Sequence, residues 1–144
     1  AYEQRDQAST NAPPPKSKPD PSSLAEAFTP LVFEGLMRAA NKECKAMDRI
    51  AKKGAGHEGE INAFYEAHRQ YVAECAVPLL GSMARIHGGA LVNAERVQVV
   101  GEVYLAEWRA TRPGASGTID ESWVRDLAAR WVNATLAALQ SEAA

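Results

Sequence analysis

The 144-residue sequence has 16 basic and 18 acidic side chains, a formal net charge of −2, and 46% hydrophobic residues, among which alanine is abundant. A protein built mainly to coat nucleic acid carries a strong basic excess, so the composition argues against that class, and any nucleic-acid contact is expected to be local. The length suits one domain whose hydrophobic core needs neither disulfide nor metal.

The N-terminal segment, residues 1–23, reads AYEQRDQASTNAPPPKSKPDPSS and has five prolines and no aliphatic side chain larger than alanine. Such a segment cannot bury enough apolar surface to fold, so it is predicted to be a disordered, Pro-rich linker ahead of a helical domain at 24–144. A bare N-terminal tail is the alternative interpretation. Because the sequence begins at Ala1 rather than Met, we expect a processed piece or a fragment of something longer.

The first predicted helix starts at SSLAEAF and ends at about Lys53. Ser23 and Glu26 match a capping box, and Thr29 followed by Pro30 offers a second start. After Lys53, the stretch GAGHEG supplies left-handed caps that end the helix. Apolar residues recur at intervals of three and four and form the predicted core face: Phe33, Leu36, Met37, Ala40, Cys44, Met47 and Ile50 or Ala51.

The second predicted helix runs from about Glu58 or Glu60 to HGG at 87–89. Pro78 is expected either to kink it or to start a short new helix. Its apolar face comprises Ile61, Phe64, Tyr65, His68, Val72, Cys75 and Leu79.

The third predicted helix, about residues 90–110, has two adjacent apolar lines. A face this wide is typical of a helix buried from two sides. The first line is Val97, Val100, Tyr104 and Trp108, and the second is Val92, Val99 and Val103.

The last predicted helix covers about residues 119–140, after the break RPGASG. Thr118 and Glu121 form a candidate capping box. Trp123, Val124, Leu127, Trp131, Thr135 and Leu139 are predicted to face the core, where tryptophans at helical spacing usually act as anchors. No stretch alternates with period two, so the fold class is predicted to be all-α: a helical bundle of about four main helices.

One feature of the charge distribution stands out, because residues 38–53 hold six basic and two acidic side chains in a chain that is acidic overall. Spacings of four, three, four and three place five cations along one stripe of the first helix. This basic stripe is Arg38, Lys42, Lys45, Arg49 and Lys52. It is predicted either to meet a negative partner or to be a solvated helix face.

Catalytic and metal-binding chemistry find little support in the sequence. Cys44 and His68 could come level in an antiparallel hairpin, but both lie on core faces, so this pair is predicted to be structural. Cys44 and Cys75 are predicted to be buried, unreactive thiols. Neither close ligand pairs such as CxxC nor phosphate-loop, dinucleotide or hydrolase motifs occur. We therefore expect no enzyme, metal or cofactor. The sequence also predicts neither a membrane segment nor a signal peptide.

The segment from AFTPLVFEGLMRAANKECKAMDRIAKK through INAFYEAHRQYVAECAVPLLGSMARIHG resembles the C-terminal helical region of bacteriophage portal proteins of the HK97 type. The likeness begins with Arg38 and Glu43 in MRAANKE and continues with a basic run and a short polar gap. FYEAHRQYV and PLL then follow in the family-like order. The resemblance covers roughly residues 27–88.

The resemblance implies a non-catalytic part of a dodecameric ring at one capsid vertex, through which a terminase motor drives DNA. It implies that residues 1–23 connect to a preceding portal body, and that the helical region lies toward the capsid interior. The expected partners are further copies of the chain, packaged DNA, and terminase or capsid proteins, and the expected location is the virion after assembly in the host cytoplasm. The basic stripe would then face either DNA or acidic residues of a neighbouring subunit.

Two other classes remain open at this point. A small helical nucleic-acid-binding or regulatory module would use the basic stripe for phosphate contacts whose affinity falls steeply with salt. A small cytosolic enzyme would require a genuine Cys44–His68 pair, whose thiol would react with alkylating agents in the folded state.

Overall fold

A computed structural model describes residues 20–88 and 94–143 of the protein, and these residues form four α-helices. The helices are α1 (Pro21–Ala51), α2 (Glu58–Gly88), α3 (Ala94–Thr111) and α4 (Glu121–Ala143). The described part of the chain contains no strand, so the predicted all-α class with four main helices is confirmed. The disordered linker was predicted for residues 1–23: residues 1–19 lie outside the described residues, and the predicted end of the linker is wrong because residues 21–23 already belong to the first turn of α1, which Pro21 can start.

The helices form an antiparallel array in chain order. Along α1 and α2, Gly35 approaches Cys75 while Lys53 pairs with Glu60, so residue numbers rise in one helix as they fall in the other. Both α1 and α3 pack against α2 and α4, which places α1 and α3 on one diagonal of the bundle. This arrangement follows from the short connections, because helices joined by short loops pack as antiparallel neighbours.

The start of α1 differs from the prediction. The helix begins at Pro21 rather than at the predicted Ser23–Glu26 capping box, and Asp20 precedes it in an extended conformation without a side-chain cap bond among the described residues. Proline at the first helical position has its φ already fixed and lacks an N–H that would be unsatisfied there. Pro30 and Pro78 both lie inside their helices, so neither starts a new element.

The core confirms the helical periodicity. Leu36, Ala40, Met47 and Ile50 of the predicted α1 face are buried, as are Tyr65 and Val72 on α2. Trp108 and Trp131 are buried and Trp123 packs partly buried against the core, as expected for anchors. Gly35 is buried where α1 approaches the backbone of α2 at Cys75, so the absence of a side chain sets how closely these helices pack.

The second apolar line of α3 corrects a prediction. Val99 and Val103 are 60% and 61% exposed, whereas burial from two sides was expected. The first apolar line of α3, from Val97 to Trp108, packs between α2 and α4. The second line points away from both helices. The third member of that line, Val92, lies outside the described residues.

The connections between helices fit their glycine-rich sequences. Gly54 and Gly56 take positive φ between α1 and α2, as the GAGHEG stretch predicts. The second helix is described as far as Gly88, and the remainder of the predicted stop at HGG lies outside the described residues. The predicted capping box at the start of α4 is wrong. Asp120, rather than Thr118, accepts the hydrogen bond from the Trp123 N–H, at 3.2 Å.

A pair between α3 and α4 predicts a pH dependence of stability. The Glu107 carboxylate accepts hydrogen bonds from the Arg130 guanidinium at 3.0 and 2.7 Å, and this contact holds the pKa of Glu107 below its ordinary value of 4.5. Because the folded-state pKa is depressed, the pair stabilises the protein above the ordinary pKa and the contribution is lost as the pH falls through the folded-state value.

Glu107→Gln is therefore expected to lower stability at neutral pH and to make the acid-induced loss of stability less steep. Urea unfolding measured at several pH values from neutral to about pH 3 checks this. Glu66→Gln, an exposed change on α2, is the control and should follow the wild-type curve. Parallel curves for all three proteins would contradict the assignment of the acid sensitivity to this pair.

Candidate functional site

The basic stripe lies where the sequence predicts. Because α1 is helical throughout residues 21–51 and its C-cap residue Lys52 keeps right-handed helical backbone angles, the four-and-three spacing puts the five cations on one side of the helix. All five side chains, Arg38, Lys42, Lys45, Arg49 and Lys52, are exposed. From Arg38 to Lys52 the stripe is about 21 Å long at 1.5 Å per residue.

Few of these cations are neutralised within the bundle. Lys52 Nζ lies 3.5 Å from Asp48 Oδ2, and Lys42 Nζ lies 4.1 Å from the centroid of the Tyr71 ring on α2. Arg38, Lys45 and Arg49 have no ion pair among residues 20–88 and 94–143. The stripe therefore presents positive charge to solvent along most of its length.

Lys53 continues the basic run but not the stripe. Its ammonium group donates to both carboxylate oxygens of Glu60, at 3.1 and 2.9 Å, and ties the end of α1 to the start of α2. This hydrogen bond lowers the pKa of Glu60, with smaller contributions from the charges of Lys53, His57 and Arg49. Lys53 is thus engaged in closing the hairpin rather than in the open stripe.

A second polar feature, which the sequence did not predict as a group, is centred on Glu43. This side chain is fully buried, at 0% exposure. Its Oε1 accepts a hydrogen bond from Trp108 Nε1 at 2.9 Å, and its Oε2 accepts one from the Gly114 N–H, also at 2.9 Å. His68 Nε2 lies 3.6 Å from Oε1. Two full hydrogen bonds offset much of the cost of burying a carboxylate.

His68 lies in an aromatic environment beside this carboxylate and is 2% exposed. Its ring stacks on Phe64 and Tyr71, with centroids 4.7 and 5.9 Å apart. Within the described chain neither ring nitrogen has a hydrogen-bond partner of normal geometry. His68 is therefore a packed core residue whose nearest charged group is Glu43.

Tyr65 completes the buried group, which we call the Glu43 cluster: Glu43, Tyr65, His68 and Trp108. Burial and then the nearby Glu43 carboxylate raise the pKa of Tyr65. The guanidinium groups of Arg109 and Arg112 lie 4.9 and 4.4 Å from the Tyr65 ring centroid. These two cations cover the aromatic ring at the end of the bundle where the cluster lies.

The structure does not join Cys44 to His68. The Cys44 thiol donates instead to the backbone carbonyl of Gly117, at 3.0 Å. Cys44 is partly exposed rather than buried, which corrects the prediction, whereas Cys75 is 7% exposed and burial raises the pKa of its thiol. Among the described residues there is accordingly no cysteine–histidine hydrogen bond of the kind that activates a nucleophile.

The sequence did contain one signal for the Glu43 cluster. The buried residues Leu36, Ala40, Met47 and Ile50 follow a four-and-three rhythm that is complete only if Glu43 is included. A charged residue at a core position is almost never fully buried unless it has partners. Those partners, Trp108 and Gly114, are 65 and 71 residues away, so the spacing within α1 could not identify them.

The described residues contain no group of three or more His, Cys, Asp or Glu side chains placed to hold a metal ion. None of the four described helices is long and apolar enough to cross a bilayer.

The described chain is thus an all-α four-helix bundle with an exposed basic stripe on α1 and a buried carboxylate cluster beneath the α3–α4 connection. Comparison with protein-family models, with curated proteins and with solved structures finds no match.

Proposed function

We propose that this chain is a non-catalytic helical module of a bacteriophage portal protein of the HK97 type, part of the ring through which DNA enters the capsid. The sequence resemblance at residues 27–88 supports this proposal, and that range coincides closely with the α1–α2 hairpin. The proposed location is the virion, after assembly in the host cytoplasm, and the proposed partners are other copies of the chain and terminase or capsid proteins.

The observation that carries the functional part of the proposal is the open charge on α1. Four of the five stripe cations have no ion pair within the described residues, and three of these, Arg38, Lys45 and Arg49, also lack a ring contact there, although the whole chain carries a net charge of −2. Exposed cations spaced along about 21 Å of helix match a polyanion, because duplex DNA carries one negative charge per about 1.7 Å of its axis. We therefore propose packaged DNA as the partner of the stripe, through contacts that do not depend on base sequence.

The test removes the three stripe cations that have neither an ion pair nor a ring contact, with Arg38→Gln, Lys45→Gln and Arg49→Gln in one variant. Folding should be nearly unchanged, because exposed charges on a helix contribute only a few tenths of a kcal/mol each. Affinity for a short DNA duplex, followed by fluorescence anisotropy at low salt, is expected to drop by roughly 10- to 100-fold.

The matched control carries Arg69→Gln, Arg85→Gln and Arg96→Gln, three exposed arginines on α2 and α3 that change the net charge equally. It should retain most of the DNA affinity. Equal losses in both variants would show that overall charge, and not the stripe, governs binding. If the stripe variant weakens self-association in sedimentation experiments while no protein binds DNA, the stripe pairs with a neighbouring subunit instead.

A further inference from the structure

The connection between α3 and α4, residues 112–120, meets α1 at Gly114 and Gly117. Pro113 and Gly114 are buried, whereas the next four residues, Ala115 to Thr118, are exposed. Gly114 sits so close to α1 that a Cβ built on it would lie 2.6 Å from the Ala40 carbonyl oxygen. We call this segment the latch loop.

Two adjacent side chains of α1 hold the latch loop by hydrogen bonds. Glu43 Oε2 accepts from the Gly114 N–H at 2.9 Å, and Cys44 Sγ donates to the Gly117 carbonyl at 3.0 Å. The thiol is a weak donor, so the carboxylate is the stronger of the two attachments. The same carboxylate binds the Trp108 indole at the end of α3, and one residue therefore anchors both the loop and the helix before it.

The loop is closed by its own hydrogen bonds. The Asp120 N–H donates to the Pro113 carbonyl at 3.1 Å, and the Ala115 N–H donates to the Arg112 carbonyl, also at 3.1 Å. These bonds do not involve α1 and can persist if the loop moves away from it. The loop can accordingly move as a unit.

Two further features favour movement. Arg112 has φ of 53°, a left-handed conformation that is unfavourable for a residue with a side chain and is maintained only by the surrounding contacts. Beside Ala115 lies an open cleft of about 330 Å³ next to the α1–α2 turn, whose lining includes the apolar Met47, Ile50 and Ile61. The two ends of the loop are held by Arg112 on the Tyr65 ring and by Ile119 against the core, whereas its exposed middle, residues 115–118, is held to α1 by the Cys44–Gly117 hydrogen bond.

From these contacts we propose that the latch loop opens as a unit while the four helices stay folded, and that the Glu43 carboxylate is the latch that keeps it closed. Opening uncovers Glu43 and Cys44 within the same turn of α1 as Lys42 and Lys45, so the bundle has a conformational switch next to the basic stripe. The proposal does not depend on what the stripe binds. Local openings of this kind have lower free energies than global unfolding.

The two cysteines supply a built-in test. Cys44 reports on the latch loop through its bond to Gly117, and Cys75 reports on the helical core. Alkylation by iodoacetamide in the native full chain, resolved by peptide mass spectrometry, should modify Cys44 well before Cys75. Glu43→Gln should speed Cys44 labelling by about tenfold or more and by clearly more than it speeds Cys75 labelling, whereas the exposed Glu34→Gln should change neither. Unchanged Cys44 labelling, or equal acceleration at both cysteines, would overturn the proposal.

A second measurement uses the wild-type chain and is independent of whether Glu43→Gln folds. Hydrogen exchange of the Gly114 amide, which donates to Glu43, should proceed through an opening that is insensitive to low concentrations of urea. Amides in the middle of α1 should instead show the urea dependence of global unfolding. A Gly114 amide that exchanges only with global unfolding would contradict opening of the loop as a separate unit.

Discussion

Gly35→Ala is expected to lower the free energy of unfolding by about 2–3 kcal/mol, although alanine is the better helix former. The added methyl group would overlap the backbone carbonyl oxygen of Cys75 on α2. A backbone carbonyl in the middle of a packed helix cannot rotate away, so α1 and α2 would have to separate. Urea unfolding followed by tryptophan fluorescence measures this effect.

Gly59→Ala is the matched control for that change. Gly59 lies in the first turn of α2, and a Cβ built there meets no heavy atom of the described chain within 4 Å. This variant should be as stable as the wild type or more stable by up to about 1 kcal/mol. If Gly35→Ala were equally harmless, the close approach of α1 and α2 in the structure would be wrong.

Glu43→Ala is expected to be the other strongly destabilising change, at about 2–4 kcal/mol. The substitution leaves the Trp108 indole N–H and the Gly114 N–H buried without an acceptor, and it removes the charge nearest to His68. Unsatisfied buried donors retain their full desolvation cost. The unfolding midpoint in urea gives the magnitude, and the emission of Trp108 should shift as its environment changes.

Glu34→Ala tests whether the effect belongs to the buried cluster or to acidic residues on α1 in general. Glu34 is exposed on the same helix, and its loss should cost no more than about 0.5 kcal/mol. Comparable losses in the two variants would mean that the hydrogen bonds of Glu43 contribute little to stability.

Much of the fold was predictable because hydrophobic spacing within each helix is a local property of the sequence. The residues predicted to face the core on α4, from Val124 through Trp131 to Leu139, are buried in the structure. Helix starts were predicted less well, because capping-box sequences are short and recur by chance. Ser23 and Thr118 both fit the pattern, yet Pro21 starts α1 and Asp120 caps α4.

The exposed line on α3 shows a different limit. Apolar periodicity identified Val99 and Val103 as a coherent line, but it could not say whether another helix of the same chain would cover them. That outcome depends on how the helices are arranged, and in this bundle α3 packs between α2 and α4 with the line facing outward.

The two parts of the site were predicted to different extents for a physical reason. The basic stripe could be identified from spacing because solvated charges need no partner to be positioned. The Glu43 cluster could not, because its geometry depends on Trp108 and on the Gly114 backbone, which come from the other side of the bundle. A buried carboxylate is specified by its partners, and those partners are distant in sequence.

The measurement that tests the proposed function most directly is the slope of log K for DNA binding against log salt concentration. Each phosphate contact contributes about −0.9 to this slope on duplex DNA. We predict that the variant lacking the charges of Arg38, Lys45 and Arg49 has a slope shallower than the wild type by roughly three units, and that the control variant lacking those of Arg69, Arg85 and Arg96 keeps the wild-type slope. Identical slopes for the three proteins, or no DNA binding by the wild type at the lowest salt, would contradict a role for the basic stripe in contacting DNA.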